Sequence, residues 1–492
     1  MSLLAALYAS ARRNPAAPAF LTDDGPTSYE SFLALIDTAE RILRNHAIGR
    51  DDVVGISMAQ SPLHCAAIMA LARLGATSVP LHPELPRPLR RRIAAKFAVR
   101  TLIGDGDETG IDGVLRIELR GAAPDLDAAG LTPSEPEQDG GRGFRISLTS
   151  GTTGEAKGDR LTHDQMLDRI DKTMFGCDCD SASRLSPPDI NSTMGLALVF
   201  GLLGLGGTVV LARSFRADDR LAAMRAHAVT HAFLSQWAAT QMLDLLPEHG
   251  GALPALRHLR LVGGALSATT LAALRARATE RLFLSYGLTE LGPVSLATPD
   301  ILARWPASTG KILPWVAVET VGDDGQALPA GQPGEIRVKV RGGPSAYWCD
   351  PLETARKFRD GWFHTGDLGR VGEDGLLFIE GRIDETINLG GYKINPLHVE
   401  DVLAGHPQVA QALAFAAADA GTPYLAAALV ARTNRIDVAD VARFAKRQLG
   451  WGAPRDYVIL SEFARTPNGK PIRSAIVAAA MAARPSWVCP RV

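Results

Sequence analysis

The sequence predicts an α/β protein in two parts: a large N-terminal domain of parallel-rich sheets covered by helices, with a β-rich subdomain, and a small C-terminal α+β domain. Three observations predict it. From residue 52 to residue 279, short β-branched or apolar runs alternate with longer helical stretches, the signature of a parallel sheet under helices. From Ala317 the texture changes to strand-like runs separated by Asp-Asp-Gly and Glu-Asp-Gly turns. After Asp384 the alternation restarts over about a hundred residues, enough for an independent domain. The expected division is therefore 1–383 and 384–492.

Taken in order, residues 1–13 read as an amphipathic first helix. No basic stretch precedes their apolar run, so a signal peptide is not expected. Strands follow at 52–58, 77–81 and 100–103, with a helix at 61–74. The stretch 121–143 is rich in Gly, Pro and Asp without periodicity and reads as a surface linker into a strand at 144–148. Strands at 208–211, 232–234 and 258–262 alternate with helices at 220–228, 236–246 and 267–279. The β-rich part supplies strands at 316–321, 334–341 and 376–380. The last part reads as helix 399–403, strands 409–416 and 424–431, helix 438–449 and strand 457–460.

A chain of 492 residues exceeds one compact core. Its 46% apolar content is that of an ordinary globular protein. A net charge of −1 without a basic block argues against nucleic-acid binding. Apolar runs such as 194–205 are too short and Gly-broken to span a bilayer, so no transmembrane segment is expected. The five cysteines (Cys65, Cys177, Cys179, Cys349, Cys489) include one Cys-Asp-Cys but no second pair at zinc spacing. They read as free thiols, and the expected compartment is the cytoplasm.

One loop carries most of the chemistry. Thr149, Ser150, Gly151, Thr152, Thr153, Gly154 and Lys157 bring hydroxyls, glycines and an ammonium together directly after a strand. Glycines let backbone N–H groups face an anion, so the loop reads as a phosphate cradle. It is not a Walker loop, because Ala156 and Gly158 flank the lysine and break that spacing. Downstream, Gly263-Gly264-Ala265 offers close backbone approach to a flat ligand. In Ser285-Tyr286-Gly287-Leu288-Thr289-Glu290, Thr289 can donate to a phosphate oxygen, Glu290 can hold Mg²⁺, and Tyr286 presents a ring face.

The ordered segments Thr149–Gly158, Ser285–Glu290, His364-Thr-Gly-Asp367, Gly381-Arg-Ile-Asp384 with Gly390-Gly-Tyr-Lys393, and Arg465-Thr-Pro-Asn-Gly-Lys470 resemble the adenylate-forming enzymes: acyl-CoA synthetases, aryl-acid ligases and adenylation domains. The resemblance covers nearly the whole chain. It implies ATP-dependent activation of an aryl or fatty carboxylic acid as acyl-AMP, followed by transfer to a thiol. Coenzyme A is favoured as acceptor over the phosphopantetheine of a carrier protein. It also implies that Asp367 accepts the ribose hydroxyls, that Arg382 also contacts ribose, and that Ile379 belongs to the nucleotide site. Asp384 becomes the hinge about which the small domain turns. Lys470 bridges carboxylate and phosphate in the first half-reaction, and Gly390 and Gly391 shape a thiol tunnel in the second. His364 is expected to be structural. Ala156, Asn388 and His398 depart from the family's usual proline, lysine and glutamate.

For the acid pocket the candidates are Asn191, Ser235 and Gly263, with Gln236 and Trp237 nearby. Asn191 admits two readings of equal weight: an amide facing a ring hydroxyl, as in aryl-acid ligases, or a helix N-cap. Trp237 reads equally as pocket wall or core. A catalytically idle binding protein of the same fold is the alternative from another class. Retention of Lys157, Glu290, Asp367 and Lys470 argues against it.

Overall fold

The computed structural model describes residues 3–105, 111, 113–119, 140–150, 156–248, 251–263, 268–389, 392–419, 422–433, 435–465, 471–483 and 487–488. Its largest sheet begins with a parallel run. Pro18–Thr22, Thr208–Val210, Arg184–Ser186, His231–Ser235, His258–Val262 and Leu282–Leu288 lie side by side in that order. The same hydrogen-bonded path then turns antiparallel through Gly292–Ala297, Gly310–Ile312, Leu376–Arg382, Trp362–Val371, Gly334–Val340 and Val316–Val321. The β-rich part expected from sequence is thus a continuation of the parallel sheet. A second, six-stranded sheet contains Val53–Ser57, Thr77–Pro80 and Thr101–Gly104 in parallel and ends in the hairpin of Gly143–Ser150 with Ala156–Thr162.

Between the two sheets lies the main core. Helices Tyr29–Asn45, Pro62–Leu74 and Thr193–Leu205 fill it with Phe32, Ile36, Ile68, Leu71, Leu198 and Leu202 among others, all fully buried. Each such side chain contributes roughly 1.5–3 kcal/mol of burial. Thr193–Leu205 is apolar on all sides because it is covered all round. Ser192 caps it by accepting the N–H of Gly195 at 3.0 Å. A Cβ on Gly195 would lie 2.2 Å from the carbonyl oxygen of Asp189, so only glycine lets the preceding loop fold onto this helix.

The C-terminal part has separate cores. Leu403, Val409, Leu429 and Val441 form one, and Leu413, Phe415, Val458 and Ile476 another; neither shares a buried residue with the clusters before it. Strands Val409–Asp419, Thr422–Ala431 and Asp456–Ile459 carry helices Pro396–Ala404, Val438–Leu449 and Arg473–Ala482. No helix among the described residues is long and apolar enough to cross a membrane.

Sequence and structure differ in places. Arg184–Ser186 and the hairpin Pro18–Thr22/Gly25–Ser28 are strands that no local pattern announces. Asp367 lies within the strand Trp362–Val371, not in a turn. The expected linker at 121–143 falls largely outside the described residues, and its last residue already begins a strand.

Candidate active site

The parallel register sets the site's floor. Ser235 pairs with Val262 and Val262 with Ser285, so two adjacent strands end side by side, level with Ser285 of a third that runs on to Leu288. Gly263, at φ +96° and with no atom of the described residues within 4 Å of where a Cβ would stand, follows directly. Ligands of open α/β sheets bind at such carboxyl edges. Ser235 caps helix Gln236–Leu245 by accepting the Ala238 N–H at 3.2 Å. The Ser285 hydroxyl donates to the Ser295 carbonyl at 3.0 Å.

One polar cluster adjoins the hairpin of Gly143–Ser150 with Ala156–Thr162. Thr149 faces Lys157 across the ladder. The Lys157 ammonium pairs with Glu353 on helix Pro351–Lys357 and lies 5.9 Å from the centre of the Tyr347 ring. Tyr347 donates its hydroxyl to Glu290 Oε1 at 2.6 Å. Fully buried Arg169, from helix His163–Met174, donates to the Thr289 carbonyl at 3.0 Å and the Glu290 carbonyl at 2.7 Å. It therefore fixes the backbone that presents both side chains. Asp159 is 3% exposed, and burial pushes its carboxyl up to about 7, against the pull of the Arg169 guanidinium.

A second cluster joins strands Leu282–Leu288, Trp362–Val371 and Leu376–Arg382. Tyr286 donates its hydroxyl to Asp367 Oδ2, and Arg382 donates to Asp367 Oδ1 at 3.1 Å. Burial raises the Asp367 carboxyl; the Tyr286 bond and the Arg382 charge oppose it. Arg382 also holds Asp384 through bonds of 2.8 and 3.2 Å. Gly366, at φ +77°, lies where the register with Gly334–Val340 shifts, an irregularity of the strand just before Asp367. Its N–H and His364 Nδ1 both engage the Glu335 carboxylate, at 3.2 and 3.0 Å, so His364 is held in the scaffold. Lys357 donates to the Thr365 carbonyl at 3.2 Å. Its ammonium is pushed down by burial and by the charges of Arg382 and Lys157, so the two clusters adjoin. Ile379 packs against the apolar core of the β-rich part.

The loop that carries Asn191 is held by buried charge. Asp189 Oδ1 accepts both the backbone N–H and the side-chain Nδ2 of Asn191, at 2.8 and 2.9 Å. A carboxylate only accepts, so the amide orientation is set. Asn191 Oδ1 is then a buried acceptor with no donor among the described residues. Arg145, 0% exposed, donates to the Asn191 carbonyl at 2.5 Å. Arg220 donates to the Pro187 carbonyl at 2.6 Å. Burial pushes both guanidiniums down to about 10, with Asp189 pulling back. The N-cap reading of Asn191 is corrected: Ser192 holds that position, because its hydroxyl reaches the Gly195 N–H.

The side chain of Ser150 and residues Gly151, Thr152, Thr153, Gly154, Gly264, Ala265, Gly390, Gly391 and Lys470 lie outside the described residues. Sequence reasoning missed Arg145, Asp159, Arg169, Tyr347, Glu353 and Lys357. Only the scarcity of charge in apolar strands marks Arg145 and Asp159; the others are distant in sequence from their partners. A surface groove of about 770 Å³ beside Phe175, Trp315 and Arg341 shares no residue with this site.

A hydroxyl- and lysine-bearing hairpin, a buried Glu and a Tyr–Asp–Arg set are residue types suited to the phosphates, metal ion and ribose of a nucleotide. Residues 7–348 match the family model of the AMP-binding enzymes, and residues 398–470 match that of the AMP-binding enzyme C-terminal domain. The chain belongs to the AMP-binding enzyme family. Relatives include an indoleacetate–CoA ligase of Aromatoleum aromaticum, 28% identical over 90% of this chain and 91% of its own length. A fatty acid–acyl-carrier-protein ligase of Mycobacterium marinum is 26% identical over 97% and 98%. The o-succinylbenzoate CoA synthetase of Bacillus subtilis, solved with its acyl-adenylate intermediate, shares the fold at a TM-score of 0.83. It is 23% identical, with 95% of this chain and 97% of that one covered.

Proposed function

We propose that this chain uses ATP to convert a carboxylic acid into an acyl-adenylate and passes the acyl group to the thiol of coenzyme A. The observation that carries the reading is the meeting, through Lys357, of the Lys157–Glu353–Tyr347–Glu290 cluster with Tyr286–Asp367–Arg382.

In the first half-reaction a carboxylate oxygen attacks the α-phosphorus. The bond to the bridging oxygen breaks and pyrophosphate leaves. Asp367 accepts the ribose hydroxyls, oriented by Tyr286 and Arg382. Thr289 donates to the α-phosphate. Lys157 and the hydroxyls and N–H groups of 149–154 receive the outer phosphates, with Lys157 exchanging its Glu353 partner for them. Glu290 fits Mg²⁺: it is a buried hard-oxygen donor, and Tyr347 occupies one of its oxygens. That ion would neutralise charge along the phosphates. Lys470 bridges the two anions as they approach. In the second half-reaction the thiol sulfur attacks the acyl carbon, the acyl–phosphate bond breaks, and AMP departs.

The change of active surface is assigned to rotation of 384–492 about Asp384, past Gly390 and Gly391. The separate cores on either side of the turn Ile383–Glu385 support this division. Asn191, Ser235 and Gly263 line the acid pocket. The locked acceptor at Asn191 Oδ1 supports an aryl acid bearing a hydroxyl. A carrier-protein phosphopantetheine is the alternative acceptor, supported by the carrier-ligase relative.

The test is pyrophosphate release with magnesium ATP and benzoate, salicylate, indole-3-acetate, hexanoate, laurate or malonate. Parallel arms add coenzyme A or a phosphopantetheinylated carrier. Release with an aryl acid and thioester in the coenzyme A arm are expected. No release with any acid would refute the reading.

A further inference from the structure

Helix Gln236–Leu245 begins where the pocket-lining strand His231–Ser235 ends, and it meets the small C-terminal part at two points. The Arg465 guanidinium stacks over the Trp237 ring at 4.7 Å from its centre. Arg432 pairs with Asp244 at 3.3 Å. Trp237 and Asp244 are seven residues apart, about two turns, so both contacts lie on one helix face. The Arg432–Asp244 pair is exposed on both sides and contributes little by itself. Arg465 differs. Burial pushes its guanidinium down to about 10, its Nη2 donates to Gln411 Oε1 at 2.5 Å, and the indole face covers it. A desolvated cation on tryptophan is the strongest form of this contact.

The contact also has a place in the reaction. Arg465 pairs with Pro471 across a β-bridge, which closes the segment in which Lys470 falls by sequence. The Trp237 end of the helix is next to Ser235 and Gln236, at the pocket edge. We infer that Trp237 and Arg465 are positioning residues that hold the small domain in its adenylate-forming orientation, so that acid activation depends on their stacking and thioester formation does not. The inference rests on the two-step function proposed above. The stacking has to open whenever the small domain turns, so it belongs to the first state alone.

Trp237→Ala and Trp237→Phe, in the full chain, test this. The two half-reactions are read separately with the acids of the pyrophosphate panel. The first is acid-dependent exchange of pyrophosphate into ATP. The second is coenzyme A-dependent consumption of the corresponding synthetic acyl-adenylate. Trp237→Ala is expected to lower the exchange kcat by about five- to thirtyfold and leave adenylate consumption within about twofold. Trp237→Phe, which keeps a ring face, is expected to restore most of the exchange. Equal loss of both half-reactions, no loss of either, or a phenylalanine variant as impaired as the alanine one overturns the latch. A wild-type chain inactive in both half-reactions overturns the proposed function itself, and the latch with it.

Discussion

Replacing Asp159 by Asn should make the protein more stable at pH 8, and the gain should vanish in acid. Asp159 is buried beside Arg169, with the Glu290 charge adding to the burial that raises its carboxyl from 3.8 to about 7. The folded form therefore keeps a proton between about pH 4 and pH 7 that the unfolded chain has released. More protons on the folded side mean that stability falls as pH rises through this window and levels off above it. At about 1.4 kcal/mol for each pH unit between the two midpoints, the ionised side chain costs about 4 kcal/mol by pH 8. Asn cannot ionise, so the variant escapes that cost, while Arg169 keeps its bonds to the Thr289 and Glu290 carbonyls. Urea unfolding without magnesium or nucleotide, followed by near-ultraviolet circular dichroism at pH 5, 6, 7 and 8, measures the difference. Variant and wild type should agree within about 1 kcal/mol at pH 5 and separate by several at pH 8. A difference that stays constant, or that favours the wild type in alkali, would refute the burial argument.

Other outcomes are expected of the site. Asp367→Asn should raise the KM for ATP about ten- to a hundredfold, because it weakens two charge-assisted bonds to ribose while Arg382 keeps Asp384; unchanged ATP dependence would remove the ribose role. Ser192→Ala should cost about 1 kcal/mol in unfolding free energy through loss of the cap on Thr193–Leu205, and a neutral result would show that the cap bond is dispensable. Gly391→Leu should spare adenylate formation and block thioester formation. Parallel loss of both would count against a tunnel at that position.

Much of this was legible where local pattern and final environment agree. His258–Val262, Val316–Val321 and Val438–Leu449 have the bounds their sequence pattern indicates, and in the helix Val438–Leu449 the apolar Val438, Val441, Ala442 and Ala445 are the residues that become buried. The three-residue strand Arg184–Ser186 escaped notice because its neighbours in the sheet, not its own composition, make it a strand. Arg145, Arg169 and Arg220 belong to no motif. Each is buried because carbonyls from distant loops converge on its guanidinium. Asn191 and Ser192 are both good caps by residue type; the Ser192 hydroxyl is the one that reaches the Gly195 N–H, while the Asn191 Nδ2 is turned to Asp189. The motifs name the residues proposed for the nucleotide, but the partners that hold them, Tyr347 for Glu290 and Tyr286 for Asp367, become visible only in the folded chain.

The central claim is that the acid's own oxygen displaces pyrophosphate, and isotope transfer tests it directly. The chain is incubated with magnesium ATP, coenzyme A and an acid that supports turnover, labelled with ¹⁸O in its carboxylate. The products are then examined by mass spectrometry. One labelled oxygen in the phosphate of AMP, with a matched amount of acyl-CoA and no product from a Lys470→Ala variant, is the result expected. ADP in place of AMP, with the label in inorganic phosphate, would contradict the account.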